Sequence, residues 1–287
     1  WSQYAYVQYA TDKHYLCNAV MVFEALHRLG SRADRVLLHP KEWIGSVENG
    51  MNGTYEHKLM VQAGDLYNVK FVSIETQTER AWPVGFTKLL AFNQTQYKRV
   101  ILLNSNAMVL QPMDELFFLR RATVAIPHAY WTLDKPSFLS SHLVVLEPSK
   151  LEFGRVTDAM LNPTVASLAS VVKKVNALYS STSLILPHRD YNLRTNEFTK
   201  TYHQDFLGPD RGDWDAIEVW KRAKFVHFSD SKYPKPWIKP SPDLRKKYWP
   251  RCPEGENGRE EESQDICRER EVWVSLYDSF SLWREVC

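Results

Sequence analysis

Two stretches of the chain gather side chains that could hold a charged ligand. A continuous apolar run, Arg99-Val100-Ile101-Leu102-Leu103, ends in the polar triplet Asn104-Ser105-Asn106. A second apolar run ends in His227-Phe228-Ser229-Asp230 and is followed by Lys235-Pro236-Trp237. Lys88 lies upstream of the first run. An imidazole and amide oxygens can ligate a cation, and lysine supplies a point positive charge for an anion. In an α/β sheet, ligands bind at the carboxyl ends of the strands, so the position after Leu103 is where a site is expected. Taken alone, His227 reads as a strand-end histidine with satisfied hydrogen bonds. Asp114 reads as a cap for a helix starting at Glu115. Asp230 reads either as a replacement ligand or as a turn-former.

The elements that must position these groups follow from the hydrophobic periodicity. Strands are expected over residues 4–9, 35–39, 70–74, 99–103, 122–127, 142–147, 184–186 and 225–228. Helices are expected over 16–29, 60–66, 88–94, 152–160 and 164–176. This alternation predicts an α/β domain over 1–240 with a mixed, mostly parallel sheet flanked by helices. Residues 241–287 read as a Pro-rich, charged linker and a C-terminal helix with Val272, Leu276, Phe280 and Trp283 along one stripe.

The order of these segments resembles glycosyltransferase family eight, the glycogenin-like group with the GT-A fold. The matching stretches are the opening YAYVQYATDKHY, Thr87-Lys88-Leu89, the strand with its polar triplet and the following Asp114-Glu115-Leu116-Phe117, and His227-Phe228 with Lys235-Pro236-Trp237. They keep the family's order across roughly residues 4 to 240. The resemblance implies retaining transfer of a hexose or N-acetylhexosamine from a UDP-sugar to a glycan or glycoprotein acceptor. It also implies a Mn²⁺ or Mg²⁺ ion held by two carboxylates and an imidazole, which neutralises the departing diphosphate. Carried over residue by residue, Tyr9, Thr11, Tyr15 and Val84 would line the base and ribose. Lys88, Asn104, Ser105, Asn106 and Lys235 would contact the donor, and His227 would be the imidazole ligand.

The chain departs from the family pattern at three donor-site elements. Asn104-Ser105-Asn106 stands where the family has Asp-x-Asp. Ser181 stands at or beside the place of a later acidic residue near the reacting face of the sugar. Ser140-Ser141-His142 replaces an Asn-Ser-Gly turn. With Ser181 and Asn106 as the candidate catalytic positions, two readings stay open beside an introduced Asp→Asn change at the triplet, which would leave Ser181 and His142 unexplained. One is a transferase with a degenerate metal site at His227, Asn104 and Asn106, relying on Lys88, Lys235 and His227. The other is a catalytically inactive relative that binds nucleotide, glycan or a partner, as a homo-oligomer or beside an active paralogue.

A formal net charge of +2 is too small to argue for nucleic acid. No apolar run approaches the roughly 18 residues of a membrane helix. Cys252 and Cys267 flank a polar loop that could not hold itself by burial, and their pairing leaves Cys17 for Cys287. Two sequons, Asn52-Gly53-Thr54 and Asn93-Gln94-Thr95, point with the cysteines to the secretory pathway, the Golgi lumen foremost, with a signal or anchor expected upstream of this chain.

Overall fold

The computed structural model describes residues 1–45, 53–74, 86–132, 138–162, 164, 171–208, 212–252 and 267–287. The helices are α1 Lys13–Arg28, α2 Glu42–Gly45, α3 Tyr55–Tyr67, α4 Phe86–Leu89, α5 Lys150–Leu161, α6 Val171–Tyr179, α7 His188–Tyr191, α8 Gln204–Leu207, α9 Ala216–Arg222, α10 Pro242–Tyr248 and α11 Arg268–Trp283. The strands are β1 Tyr4–Tyr9, β2 Asp34–Pro40, β3 Val69–Ile74, β4 Arg99–Leu103, β5 Ala107–Val109, β6 Val124–Pro127, β7 Leu143–Leu146, β8 Leu184–Leu186, β9 Leu193–Arg194 and β10 Phe225–His227. They build a seven-stranded sheet, β3-β2-β1-β4-β7-β6-β8, and a three-stranded sheet, β5-β10-β9.

In the large sheet β3, β2, β1 and β4 run parallel. β7 is antiparallel to both β4 and β6, and β8 is parallel to β6. The chemistry of β4 explains its central place. Ile101 and Leu103 pack into a core on one face with Tyr6 and Phe23. Val100 and Leu102 pack into a second core on the other face with Ala5, Val7 and Phe92. A strand covered on both faces needs apolar residues at every position, which is why the run shows no polar alternation.

The helix ends follow from local capping. Asp12 starts α1 by accepting hydrogen bonds from the backbone of His14 and Tyr15 at 2.8 and 3.0 Å. This fixes where the chain turns after β1. Ser149 caps α5 through Glu152 N at 3.1 Å. The helix expected over 88–94 is α4 continued by a 3-10 turn over Leu90–Asn93. The helix expected over 164–176 is seen from Val171, and residues 165–170 lie outside the described residues.

The tail shares a core with the small sheet. Val272, Trp273, Leu276, Tyr277 and Phe280 of α11 are buried with Met108, Val226 and Phe228. Phe228 meets Phe280 and Tyr277 edge-on, with centroids 4.8 and 5.0 Å apart. Disulfides join Cys17 to Cys287 and Cys252 to Cys267, as the cysteine spacing predicts. They fit an oxidising lumenal compartment. Asn93 is exposed, as its sequon requires, while Asn52 lies outside the described residues. No described helix is long and apolar enough to cross a membrane.

Candidate functional site

The carboxyl ends of β1 and β4 open side by side, because the two strands are parallel and adjacent. From β1 come Tyr9, half-buried, and Thr11, exposed. Burial pushes the Tyr9 phenol up to about 12. Past the Asp12 cap, Tyr15 lies edge-on to Trp237 at 5.6 Å and His14 stacks on the same ring at 6.2 Å. Trp237 is thereby packed against the first turn of α1.

The polar triplet after β4 is wired into its neighbours. Asn104 N–H donates to His142 O at 2.8 Å. The buried Ser105 hydroxyl lies 3.2 Å from Tyr9 O and 3.3 Å from Gln8 Oε1. Asn106 N–H donates to Asn104 Oδ1 at 3.1 Å, and Asn106 O accepts from Phe228 N at 2.8 Å. β10 then pairs with β5 so that His227 faces Ala107, next to Asn106. His227 and Asn106 therefore meet at one crevice, as the motif order predicts.

The crevice wall opposite is built from β7 and β9. Lys88 is buried, and its ammonium donates to Ser141 O. Burial lowers Lys88 to about 8, so it is a cation at neutral pH. The ring of His142 stacks face to face on His227 with centroids 3.6 Å apart and planes 2° apart, and Trp131 stacks on His142 at 5.2 Å. His142 Nδ1 lies 3.0 Å from Asn192 Oδ1. Asn192 Nδ2 donates to His128 O at 3.0 Å, which turns its oxygen toward His142. The proton of neutral His142 is therefore assigned to Nδ1. Burial, then the Lys88 and Arg194 charges, lower His142 to about 3. Burial and the neighbours His142, Lys88, Arg194 and Lys235 hold His227 well below the usual imidazole range. The crevice is thus cationic through lysine and arginine, with uncharged imidazoles.

These donors do not fit a resident divalent ion. The atoms offered are amide oxygens and an imidazole. Asn104 Oδ1 is already occupied, while Asn106 Oδ1 and His227 Nδ1 are buried without a hydrogen-bond partner. Among the described residues no group of three His, Cys, Asp or Glu is placed to hold a metal. Hard cations take anionic oxygen ligands, and here the near charges are positive.

The other sequence candidates fall elsewhere. Ser181 is exposed in the turn after α6, before β8 begins. Leu186 is level with Pro127 at the crevice end of the sheet, and Leu184 is level with Ala125, farther away. Ser181 therefore sits at the opposite edge of the sheet from Asn106, and a catalytic role for it is withdrawn. Asp114 caps nothing, since its carboxylate accepts from Tyr6 OH at 2.7 Å and Ser31 Oγ at 2.8 Å. The Asp230 carboxylate is taken up by neighbouring side chains. It accepts from Thr195 Oγ1 and from Tyr277 OH at 2.9 Å, tying β9 to α11. Val84 lies outside the described residues.

Three site residues escaped sequence reasoning: Trp131, Asn192 and Arg194. The available signal was Asn192-Leu193-Arg194, two polar side chains one strand period apart beside an apolar residue, directly after a short helix.

No family model matches the chain. It is 43% identical over 303 residues to glucose N-acetyltransferase 1 of Aspergillus fumigatus, covering all of this chain and 77% of that protein. It is 43% identical over 291 residues to glucose N-acetyltransferase 1 of Gibberella zeae, covering 98% of this chain and 61% of that protein. Among solved structures it resembles the glycosyltransferase GlyE of Streptococcus pneumoniae, with a TM-score of 0.60 and 14% identity over 99% of this chain and 62% of that one. It also resembles the galactosyltransferase LgtC in complex with donor and acceptor sugar analogs, with a TM-score of 0.56 and 13% identity over 99% of this chain and all of that one. The fold is thus the GT-A glycosyltransferase fold, and the chain belongs to the glucose N-acetyltransferase 1 family.

Proposed function

We propose that the chain is a glycosyltransferase that moves an N-acetylhexosamine, N-acetylglucosamine foremost, from a UDP-sugar to a glycan in the Golgi lumen. The observation that carries this reading is the convergence of Lys88, Asn104, Asn106, His227 and Lys235 at the carboxyl ends of β1 and β4. The β1–α1 junction, with Tyr9, Thr11 and Tyr15, opens at the same edge. The resemblance to glycosyltransferase family eight supports UDP as the nucleotide and retention at the anomeric carbon. The relatives' name supports the acetylated sugar.

In the reaction, the bond between the sugar's anomeric carbon and the diphosphate oxygen breaks, and its electron pair leaves with UDP. The acceptor hydroxyl oxygen bonds to the anomeric carbon, and its proton passes to the departing diphosphate. Lysine charges near the diphosphate favour the state in which negative charge has grown on it. The test is calorimetry with UDP, followed by transfer from UDP-N-acetylglucosamine, UDP-glucose and UDP-galactose to a set of glycans. Selective transfer from the first donor is expected, and absence of UDP binding overturns the reading.

A second reading has one observation in its favour. Among the described residues no group of three His, Cys, Asp or Glu is placed to hold a metal. In that case UDP and glycan bind but no product forms, and the chain serves as a binding subunit.

A further inference from the structure

Arg194 is an arginine built to meet an anion. β9 pairs with β10 in parallel register, Arg194 beside His227, so both side chains leave the small sheet on one face. The guanidinium is held from two sides. Its Nε donates to Ser229 Oγ at 2.9 Å, and its plane lies over the Trp131 ring, 4.1 Å from the centroid. Ser229 is itself fixed, its N–H on Thr195 Oγ1 at 3.1 Å and its hydroxyl on His227 O at 3.2 Å.

What Arg194 lacks is a carboxylate in direct contact. Among the described residues no carboxylate forms an ion pair with Arg194, Lys88 or Lys235. Two acids attract Arg194 at longer range, Glu197 and Asp230, and both are engaged. Glu197 pairs with Lys200 at 2.9 Å and with His203 at 3.2 Å. Asp230 accepts from Thr195 and Tyr277. Withdrawing a cation from water without a partner is costly, and placing cations around one crevice adds repulsion. Such an arrangement is offset when an anion of several charges binds. Arginine's planar fork suits phosphate oxygens in pairs.

We propose that Arg194, together with Lys88, neutralises the diphosphate of the sugar nucleotide in this chain, in place of a carboxylate-held divalent cation. This rests on the nucleotide-sugar reading above and deepens it. Asn104 and Asn106 then keep the shape of the strand end without drawing a dication. As the sugar–oxygen bond breaks, the negative charge that grows on the diphosphate oxygen falls beside groups that are already positive and already fixed.

The test is calorimetry on the whole chain in EDTA with UDP, uridine and inorganic pyrophosphate, for wild type, Arg194→Gln and Arg194→Lys. Wild type is expected to bind UDP and pyrophosphate in EDTA, with added Mn²⁺ changing the UDP Kd less than about threefold. Arg194→Gln should weaken both by about 10–100-fold, the worth of one or two charged hydrogen bonds, and leave uridine unchanged. Arg194→Lys keeps the charge and should recover part of the loss, which guards against a variant that merely misfolds. UDP binding that requires Mn²⁺, or that Arg194→Gln leaves unaltered, overturns the proposal while sparing the nucleotide-sugar reading. Pyrophosphate binding through Arg194 with no gain for UDP supports the anion site and sinks the nucleotide. No binding of either ligand overturns both.

Discussion

His142 lies flat on His227, ring on ring at 3.6 Å, with its Nδ1 held by Asn192. The stack excludes two charged rings, since imidazolium ions so close would repel each other, and burial with the nearby Lys88 and Arg194 charges disfavours a charge on either ring. The folded protein therefore holds His142 at about 3 and His227 well below its usual range, while both return to about 6.5 on unfolding. A group whose folded pKa is depressed leaves the unfolded chain binding more protons between the two values, so stability rises with pH there. The contribution is intact above about pH 6.5 and is lost as the pH falls toward 3, at up to about 1.4 kcal/mol per pH unit for each ring. Thermal melts from pH 7.5 to 4.5 should show Tm falling with acid, and His142→Phe should flatten the fall. An unchanged slope in that variant would show that other groups carry it.

Lys88 gives a second pH dependence, on binding. Burial lowers the free protein's ammonium to about 8, so raising the pH through that value removes a charge from the crevice. UDP affinity should drop between about pH 7.5 and 9.5, and Lys88→Arg should bind with little change over that range, because arginine stays charged. A wild-type affinity that stays level to pH 9.5 would place Lys88 outside the donor site.

The metal reading has its own test. Asn104→Asp with Asn106→Asp returns anionic oxygens to a strand end that keeps its shape. Mn²⁺ titration in the presence of UDP should show weak binding to wild type and a gain of tenfold or more in the double variant. Tight wild-type binding with no gain would mean that other ligands hold the metal.

The fold was readable because its signals are local. β4 is apolar from Val100 to Leu103, and α1 carries apolar residues at helical spacing up to Gly30, so strand and helix positions could be placed within a few residues. The crevice was readable where a motif ties residues to a strand end, as with Asn104-Ser105-Asn106 and His227. It was unreadable where it depends on register between distant segments. Arg194 reaches His227 only because β9 pairs with β10, and His142 reaches it only because β7 starts where β4 stops. Ser181 failed for the same reason: its place in the order of segments is close to the family's, but β8 starts at the far edge of the sheet.

Ser181 and Asn192 make a paired test of that correction. Ser181→Ala removes an exposed hydroxyl from a turn far from the crevice and should leave UDP binding and Tm unchanged. Asn192 is fully buried, accepts from Ser140 Oγ at 3.2 Å and from His142, and donates to His128 O. Asn192→Ala leaves buried polar groups unpaired and frees the His142 ring, which should cost about 2–4 kcal/mol of stability and weaken UDP binding. Equal effects from the two variants would contradict the placement of both.

The tail braces the crevice from behind. Cys287 is bonded to Cys17 in α1, across 270 residues of chain, and the neighbouring Arg284 donates to Asn18 Oδ1 and to His14 O. Between these anchors α11 presents Tyr277 and Trp273 to Asp230, which holds Thr195 next to Arg194. Cys252–Cys267 closes a loop of only 15 residues at the other end of α11. Chain-entropy reasoning gives the longer loop the larger effect, about 5 kcal/mol against about 3. Replacing Cys17 and Cys287 together with serine should therefore lower Tm more than replacing Cys252 and Cys267. It should also weaken UDP binding, because the end of α11 comes free of α1 and the support behind Asp230 loosens. Melts and calorimetry on the two double variants decide this. If the Cys252/Cys267 pair proves the more damaging for UDP binding, the brace runs through the start of the helix, and Asp230→Asn should then matter little.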